Sequence, residues 1–274
     1  MLGTILLFRD ALYGSLIIAL ACSVLGVYVV LRRIVFVGAA LAQLSSMGIA
    51  LALWLGGWGG LAALGSQPAA VALVVTLVGA LLFGLSGGRS RVPPDATIGA
   101  TYAVAGALGV LFIAKAAHGE AHDLFLQGNI LGITRRDMWV LLAVALPVLL
   151  AHLLFYKEFL FVSFDRETAR TLGFQVTRWN LLLYLTLGLI IASAMQFAGV
   201  MLVFNFLVLP AMTGLIASRS MRGTFMWAIG SGLVAAVVGF SLSVPFDLPT
   251  GPTMIAVSGA FLLLVWLIRL PQRH

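Results

Sequence analysis

The chain has 274 residues, of which 62% are hydrophobic and only 9% charged, and its mean hydropathy is +1.12. A water-soluble domain cannot hide that much apolar surface, so the composition excludes an ordinary globular enzyme and points to a chain solvated by lipid. The formal net charge of +7 would suggest nucleic acid in a soluble protein, but in a lipid-embedded chain the placement of charge marks topology, and no nucleic-acid partner is expected.

A helix needs about 20 apolar residues to cross the hydrocarbon core, so this length accommodates roughly eight or nine crossings. The first is predicted at about 11 to 31. It is too long for the apolar stretch of a signal peptide and is followed by further spans, so it is read as a crossing. It contains Cys22, the single cysteine, which leaves no intramolecular disulfide to form. Further crossings are predicted at about 36 to 55, 68 to 86, 97 to 116, 138 to 156, 179 to 195, 198 to 217, 224 to 244 and 252 to 269. Only Met195, Gln196, Phe197 and Ala198 separate the sixth from the seventh, so residues 179 to 217 read either as a tight helical hairpin or as one long broken helix. The fold class is thus all-α: a polytopic membrane bundle of eight to nine helices, forming a single domain over residues 1–274.

With nine crossings, Arg32, Arg33, Arg89, Arg91, Lys157, Arg166, Arg170, Arg178, Arg219, Arg222, Arg269 and Arg273 fall on one side. Arg9, Lys115, Arg135 and Arg136 fall on the other, which accounts for all 16 basic residues. The richer side is predicted to be cytoplasmic, with the N-terminus outside and the C-terminus inside.

The second crossing carries Gly38, Ala42, Ser46 and Ala50 at four-residue spacing, a small-residue stripe suited to close helix packing. Beside it runs a second stripe of Ala39, Gln43 and Met47. Asn205, Gln196, Ser45 and Ser46 are further intramembrane polar groups, and Pro210 is predicted to break its helix near them. Gln43, Ser46, Met47 and Asn205 are the candidates for a transport pathway. His152 is the one ionisable side chain well inside a span, and a backbone carbonyl of a neighbouring helix is expected to satisfy it. Asp and Glu are absent from the span centres, which argues against a proton-coupled carrier.

Between the fifth and sixth crossings lies Phe164-Asp165-Arg166-Glu167-Thr168-Ala169-Arg170-Thr171-Leu172-Gly173-Phe174-Gln175-Val176. Ser163 or Asp165 can cap a short helix here, Glu167 sits in its first turn, and Gly173 is placed to end it in the left-handed conformation. The mixed charge of this helix favours docking into a protein groove over resting on lipid headgroups. The chain contains no G-x-x-x-x-G-K-[ST] loop, so it has no Walker-type route to ATP and no catalytic or cofactor site of its own is expected. Outside the membrane, His118, Glu120, His122 and Asp123 combine two imidazoles four residues apart with two carboxylates, enough to hold a metal ion if the loop forms a helical turn.

The run Val29-Val30-Leu31-Arg32-Arg33-Ile34-Val35-Phe36-Val37-Gly38-Ala39-Ala40-Leu41-Ala42-Gln43 resembles the start of the permease subunits of zinc, manganese and iron ABC importers. Residues 123 to 131 resemble that family's external loop, 164 to 176 its ATPase-coupling segment, 199 to 211 its late broken span, and 247 to 252 its last external turn. The resemblance implies a permease of a bacterial inner membrane, surrounded by lipid. Its partners would be a second, identical permease, a cytoplasmic ABC ATPase dimer that binds the ATP, and an external solute-binding protein. Asp165, Arg166, Glu167, Ala169, Arg170, Leu172 and Gly173 would engage the ATPase, and the cargo would be a divalent metal.

One departure stands in the second span, where family members usually carry Asp at the position of Ala39 and His at that of Gln43. Such a pair, one helical turn apart, can hold a divalent cation. Ala39 offers no ligand, and Gln43 offers a neutral carbonyl oxygen suited to hard cations. Either the metal path uses other groups or the substrate has changed, to a non-metal or otherwise altered cargo.

Overall fold

The computed structural model describes residues 8–57, 62–85, 93–116 and 130–269. Among these residues there is no strand, because in lipid a helix alone satisfies its own backbone hydrogen bonds along an open segment. The helices are α1 (Arg9–Leu31), α2 (Phe36–Gly56), α3 (Pro68–Leu85), α4 (Pro94–Lys115), α5 (Arg135–Leu154), α6 (Tyr156–Phe164), α7 (Arg166–Thr171), α8 (Val176–Ala217), α9 (Met221–Phe246) and α10 (Thr250–Arg269). Eight of them are long and apolar enough to cross a bilayer, as the composition predicts.

The two ends of the bundle follow from side-chain contacts. Tyr28, near the end of α1, packs its ring against Phe225 at the start of α9 (5.3 Å), His152 at the end of α5 (5.4 Å) and Phe159 of α6 (5.8 Å). Arg32, which caps α1, donates to Asn180 near the start of α8, and Arg269 at the end of α10 donates to the carbonyl of Ala217, the last residue of α8. At the opposite end Ile130, Ala198, Leu202, Asp247 and Thr250 line one recess.

The long helix α8 therefore begins and finishes at the same end of the bundle. A straight helix of its 42 residues would run about 63 Å, twice the ~30 Å hydrocarbon core. It reverses instead at Gly199, whose φ of 72° and ψ of 167° belong to a region essentially reserved for glycine. The hairpin alternative for residues 179 to 217 is the one realised. Eight spanning helices with one passing twice give nine passages. Pro210 does not break its helix: α8 continues through it, and the interruption lies eleven residues earlier at Gly199. The described basic residues segregate between the two ends as the nine-crossing topology predicts.

Folding α8 back on itself places it at the centre, against α1, α2, α3, α9 and α10. Lipid tails supply no hydrophobic drive between helices, so the bundle relies on close backbone approach at small residues. At Gly26 of α1, an added Cβ would overlap the carbonyl of Leu207. Gly38 of α2 meets the Leu207 side chain, and Gly48, outside the predicted stripe, meets the backbone of α3 at Ala72. The four residues of the predicted stripe, Gly38, Ala42, Ser46 and Ala50, are all buried.

Gly199→Ala is expected to destabilise the protein by about 1–3 kcal/mol, because alanine carries a Cβ into a backbone conformation it resists. Thermal unfolding in detergent checks this, with Gly230→Ala as control, since nothing lies within 4 Å of a Cβ added there.

Candidate transport pathway and coupling surface

With Gly38 turned to α8 and Gly48 to α3, the stripe of Gln43 and Met47 is left facing α4. There it meets two glycines. A Cβ on Gly106 would stand 3.8 Å from Gln43 Nε2, and one on Gly109 would stand 3.7 Å from the Met47 Cα. Gln43 and Met47 are half-buried, while Ala39, Ser45 and Ser46 are buried. An amide oxygen and a thioether one turn apart, opposite backbone that carries no side chains, offer one hard and one soft ligand in a narrow seam.

Asn205 lies on the returning half of α8, 3% exposed, with neither its amide oxygen nor its amide nitrogen hydrogen-bonded. The Ser45 hydroxyl is likewise buried and unpartnered. Unpaired polar groups in an apolar interior are costly, so these mark places where a polar occupant would be stabilised. No hydrogen bond joins Asn205 to Gln43 or Ser46, so the predicted pathway residues are not one bonded cluster. Among the described residues no group of three His, Cys, Asp or Glu side chains comes together. His118, Glu120, His122 and Asp123 lie outside the described residues. His152 bonds through Nδ1 to the carbonyl of Val148, 2.9 Å away in its own helix rather than a neighbouring one, and its ring stacks on Phe159 at 4.2 Å.

The short helix predicted between the fifth and sixth crossings is present as α7. Asp165, not Ser163, caps it: its carboxylate accepts from the Thr168 amide at 2.9 Å and also from the Thr168 hydroxyl. Ser163 instead donates to Phe159 O at 2.6 Å. The helix ends in a Schellman turn, with Gly173 at φ 84°, its amide bonded to Arg170 O and the Phe174 amide bonded to Ala169 O. Phe161 and Phe174 close the turn with ring centroids 5.3 Å apart. One face of α7 is anchored by Ala169, fully buried with Val162 and Val176. The other face is open: Glu167 and Arg170 are exposed, and Leu172 is 65% and Phe164 58% exposed. Beside it runs a groove of about 460 Å³ lined by Leu172, Gly173, Phe174, Gln175, Arg178, Trp179 and Leu182. Exposed Leu and Phe beside a groove and charged groups have the chemistry of a protein-docking surface.

At the far end of the bundle, the recess beside the tip of α8 measures about 730 Å³ and includes Met201, Leu248, Pro249 and Pro252. It is shaped by Asp247, which ends α9 in the left-handed conformation (φ 53°, ψ 38°).

The model of the family described as "ABC 3 transport family" matches residues 5–269. The chain belongs to the ABC 3 transport family. The manganese transport system membrane protein MntC of Halalkalibacterium halodurans is 29% identical over 260 residues, covering 94% of this chain and 86% of MntC. The manganese import system permease protein ScaB of Streptococcus gordonii is 28% identical over 276 residues, covering 97% and 92%. Among solved structures, PsaBC from Streptococcus pneumoniae in complex with Fab superposes with a TM-score of 0.82 at 27% identity, covering 97% of this chain and 93% of that one. The ABC 3 assignment agrees with an all-helical membrane bundle.

The bonds from Thr168 hold the Asp165 carboxyl below its ordinary value of 3.8. A depressed value means that the cap's contribution is present above pH 3.8 and is lost as pH falls through the lowered value. Amide exchange at Thr168, corrected for intrinsic rate, should lose protection across that acidic window. In Asp165→Asn, whose amide oxygen still accepts but does not titrate there, protection should stay flat.

Proposed function

We propose that this chain is the membrane-spanning permease subunit of an ATP-driven ABC importer of a divalent transition metal, with manganese, zinc and iron as the candidate cargoes. The observation that carries the reading is family membership over residues 5–269 in a chain that has no nucleotide-binding loop yet presents, between two spans, an uncovered helix of mixed charge flanked by exposed Phe164 and Leu172. Relatives named for manganese transport and manganese import, aligned over nearly their whole length, support the metal.

In this reading the cation-rich end faces the cytoplasm of a bacterial plasma membrane, and α7 with its groove receives a separate ATPase. A second copy of the permease completes the pathway, and an external solute-binding protein delivers cargo near the recess at the tip of α8. The metal is substrate, not a resident cofactor, which suits a path with few strong ligands: a site must release its ion as well as take it. Closure of the ATPase pair would tilt the spans through α7 and alternate the access of the Gln43 and Met47 seam. The external His118, Glu120, His122 and Asp123 would act at entry.

Manganese uptake by proteoliposomes that hold the permease, its cognate ATPase and the binding protein tests the proposal: uptake is expected only with all three and ATP. Turnover stimulated by the binding protein but indifferent to manganese, zinc and iron would refute the metal. Ala39 favours a second reading, the same permease with a non-metal cargo. The double variant Ala39→Asp, Gln43→His separates the two. If the α2 stripe lines a cation path, the added ligands should bind the ion too tightly or extend the range of metals, changing uptake at least several-fold. Unchanged uptake would remove the stripe from the path. His118→Ala with His122→Ala should raise the metal concentration needed for half-maximal uptake while leaving the maximal rate alone.

A further inference from the structure

One group of side chains joins α7 to three spans, and sequence patterning gave no hint of it. Arg32 follows the last residue of α1 in a Schellman turn, in which Arg33 takes φ 59° and the Ile34 amide bonds to Val29 O. This turn brings the Arg32 guanidinium back over the bundle. Its Nε donates to Ser163 Oγ of α6 at 2.8 Å, and Nη1 donates to Asn180 Oδ1 of α8 at 2.7 Å. Arg166, the first residue of α7, donates from Nη2 to the same Asn180 oxygen at 2.8 Å. Asn180 in turn donates from Nδ2 to the carbonyl of Gly84 in α3 at 2.7 Å. Asn180 is 3% exposed.

The orientation of this amide is settled by its partners: two guanidinium groups can point only at an acceptor, and a backbone carbonyl can pair only with the NH2. Both lone pairs of the oxygen are taken, each by a cation. Among the described residues no carboxylate pairs with Arg32 or Arg166, and the ion pair formed there is Arg9 with Asp10, at the other end of the bundle. Arg32 Nη2 is buried without a partner. Two like charges therefore converge on a neutral atom in a half-dry site, held by two hydrogen bonds and pushed apart by their own repulsion. A carboxylate of the same size would neutralise one charge and bind both guanidiniums more firmly, while giving up the bond to Gly84, since it has no N–H to donate.

We infer that Asn180 is a releasable clasp: the shared acceptor through which displacement of α7 is passed to α1, α3 and α8, kept neutral so that Arg166 can leave it and return in each transport cycle. Asn180 is a positioning residue in this scheme. It touches no cargo, and it selects whether α7 is tied to the spans. The inference rests on the reading that α7 receives the ATPase.

Asn180→Asp in the complete transporter, with its ATPase and binding protein in proteoliposomes, is the decisive variant. The added charge should lock α7 to α1 and α8 through the two arginines. Manganese uptake is expected to fall at least tenfold while amide exchange across α7 in the purified complex slows at least fivefold. With a merely structural asparagine, uptake would fall and exchange across α7 would quicken. Asn180→Leu should release both arginines, leaving ATP hydrolysis within about threefold of the parent and cutting the manganese moved per ATP at least fivefold. Wild-type uptake in Asn180→Asp, or a fall in uptake accompanied by faster exchange across α7, overturns the clasp. So does an unaltered manganese-to-ATP ratio in Asn180→Leu. Leu172→Glu, on the open face of α7, reports on the underlying reading independently. If it still recruits the ATPase and supports uptake, docking at α7 is wrong, and the clasp falls with it.

Discussion

The reversal of α8 at Gly199 is the constraint on which the other features depend. A 42-residue apolar helix is about twice as long as the membrane is thick, so it must turn back at the far face. A single glycine, in a conformation that no other residue adopts comfortably, returns the chain there without a loop. Because it does so, the first half of α8 rises beside α3 and the second half descends beside α1 and α9, which makes α8 the axis of the bundle. The tip of the hairpin becomes a wall of the far recess, while both of its feet stand at the cation-rich end.

That axis ties the two ends of the bundle together. The first foot of α8 carries Asn180, which holds Arg32, Arg166 and Gly84 together. The returning half carries Asn205 and supplies Leu207 against both Gly26 and Gly38. A small rotation of α8 would therefore be felt at the α1 and α2 contacts with little slack, since protein interiors this closely packed transmit displacement instead of absorbing it. The face of α2 that carries Gln43 and Met47 meets α4, and α4 is itself mostly uncovered on its outer side, leaving a broad surface for a second subunit or for lipid.

Chemically, the seam is weakly armed. Gln43 and Met47 offer one neutral oxygen and one thioether, and the buried Asn205 and Ser45 groups are unsatisfied rather than charged. Weak, distributed ligands suit passage better than storage, because a tightly bound ion does not leave. Acids are absent from the span centres of the sequence, where a proton-coupled carrier is expected to hold them.

The sequence by itself determined the spans, the separation of basic residues between the two ends and the short helix α7, because each rests on local chemistry. Apolar runs are set by lipid thickness, the ends by the distribution of Arg and Lys, and α7 by an Asp165 cap and a Gly173 stop that act within a few residues of chain. It left open how residues 179 to 217 cross, and it misplaced the break at Pro210, since proline costs a helix one hydrogen bond whereas the reversal at Gly199 is chosen by what the two halves pack against. Tertiary structure alone decided which face of α2 turns to α4, that Ser163 serves Phe159 instead of capping α7, and that Arg32 and Arg166 meet on Asn180. Those partners are separated by up to 148 positions in the chain, and no periodicity or spacing encodes a contact between side chains that only the folding of α8 brings together.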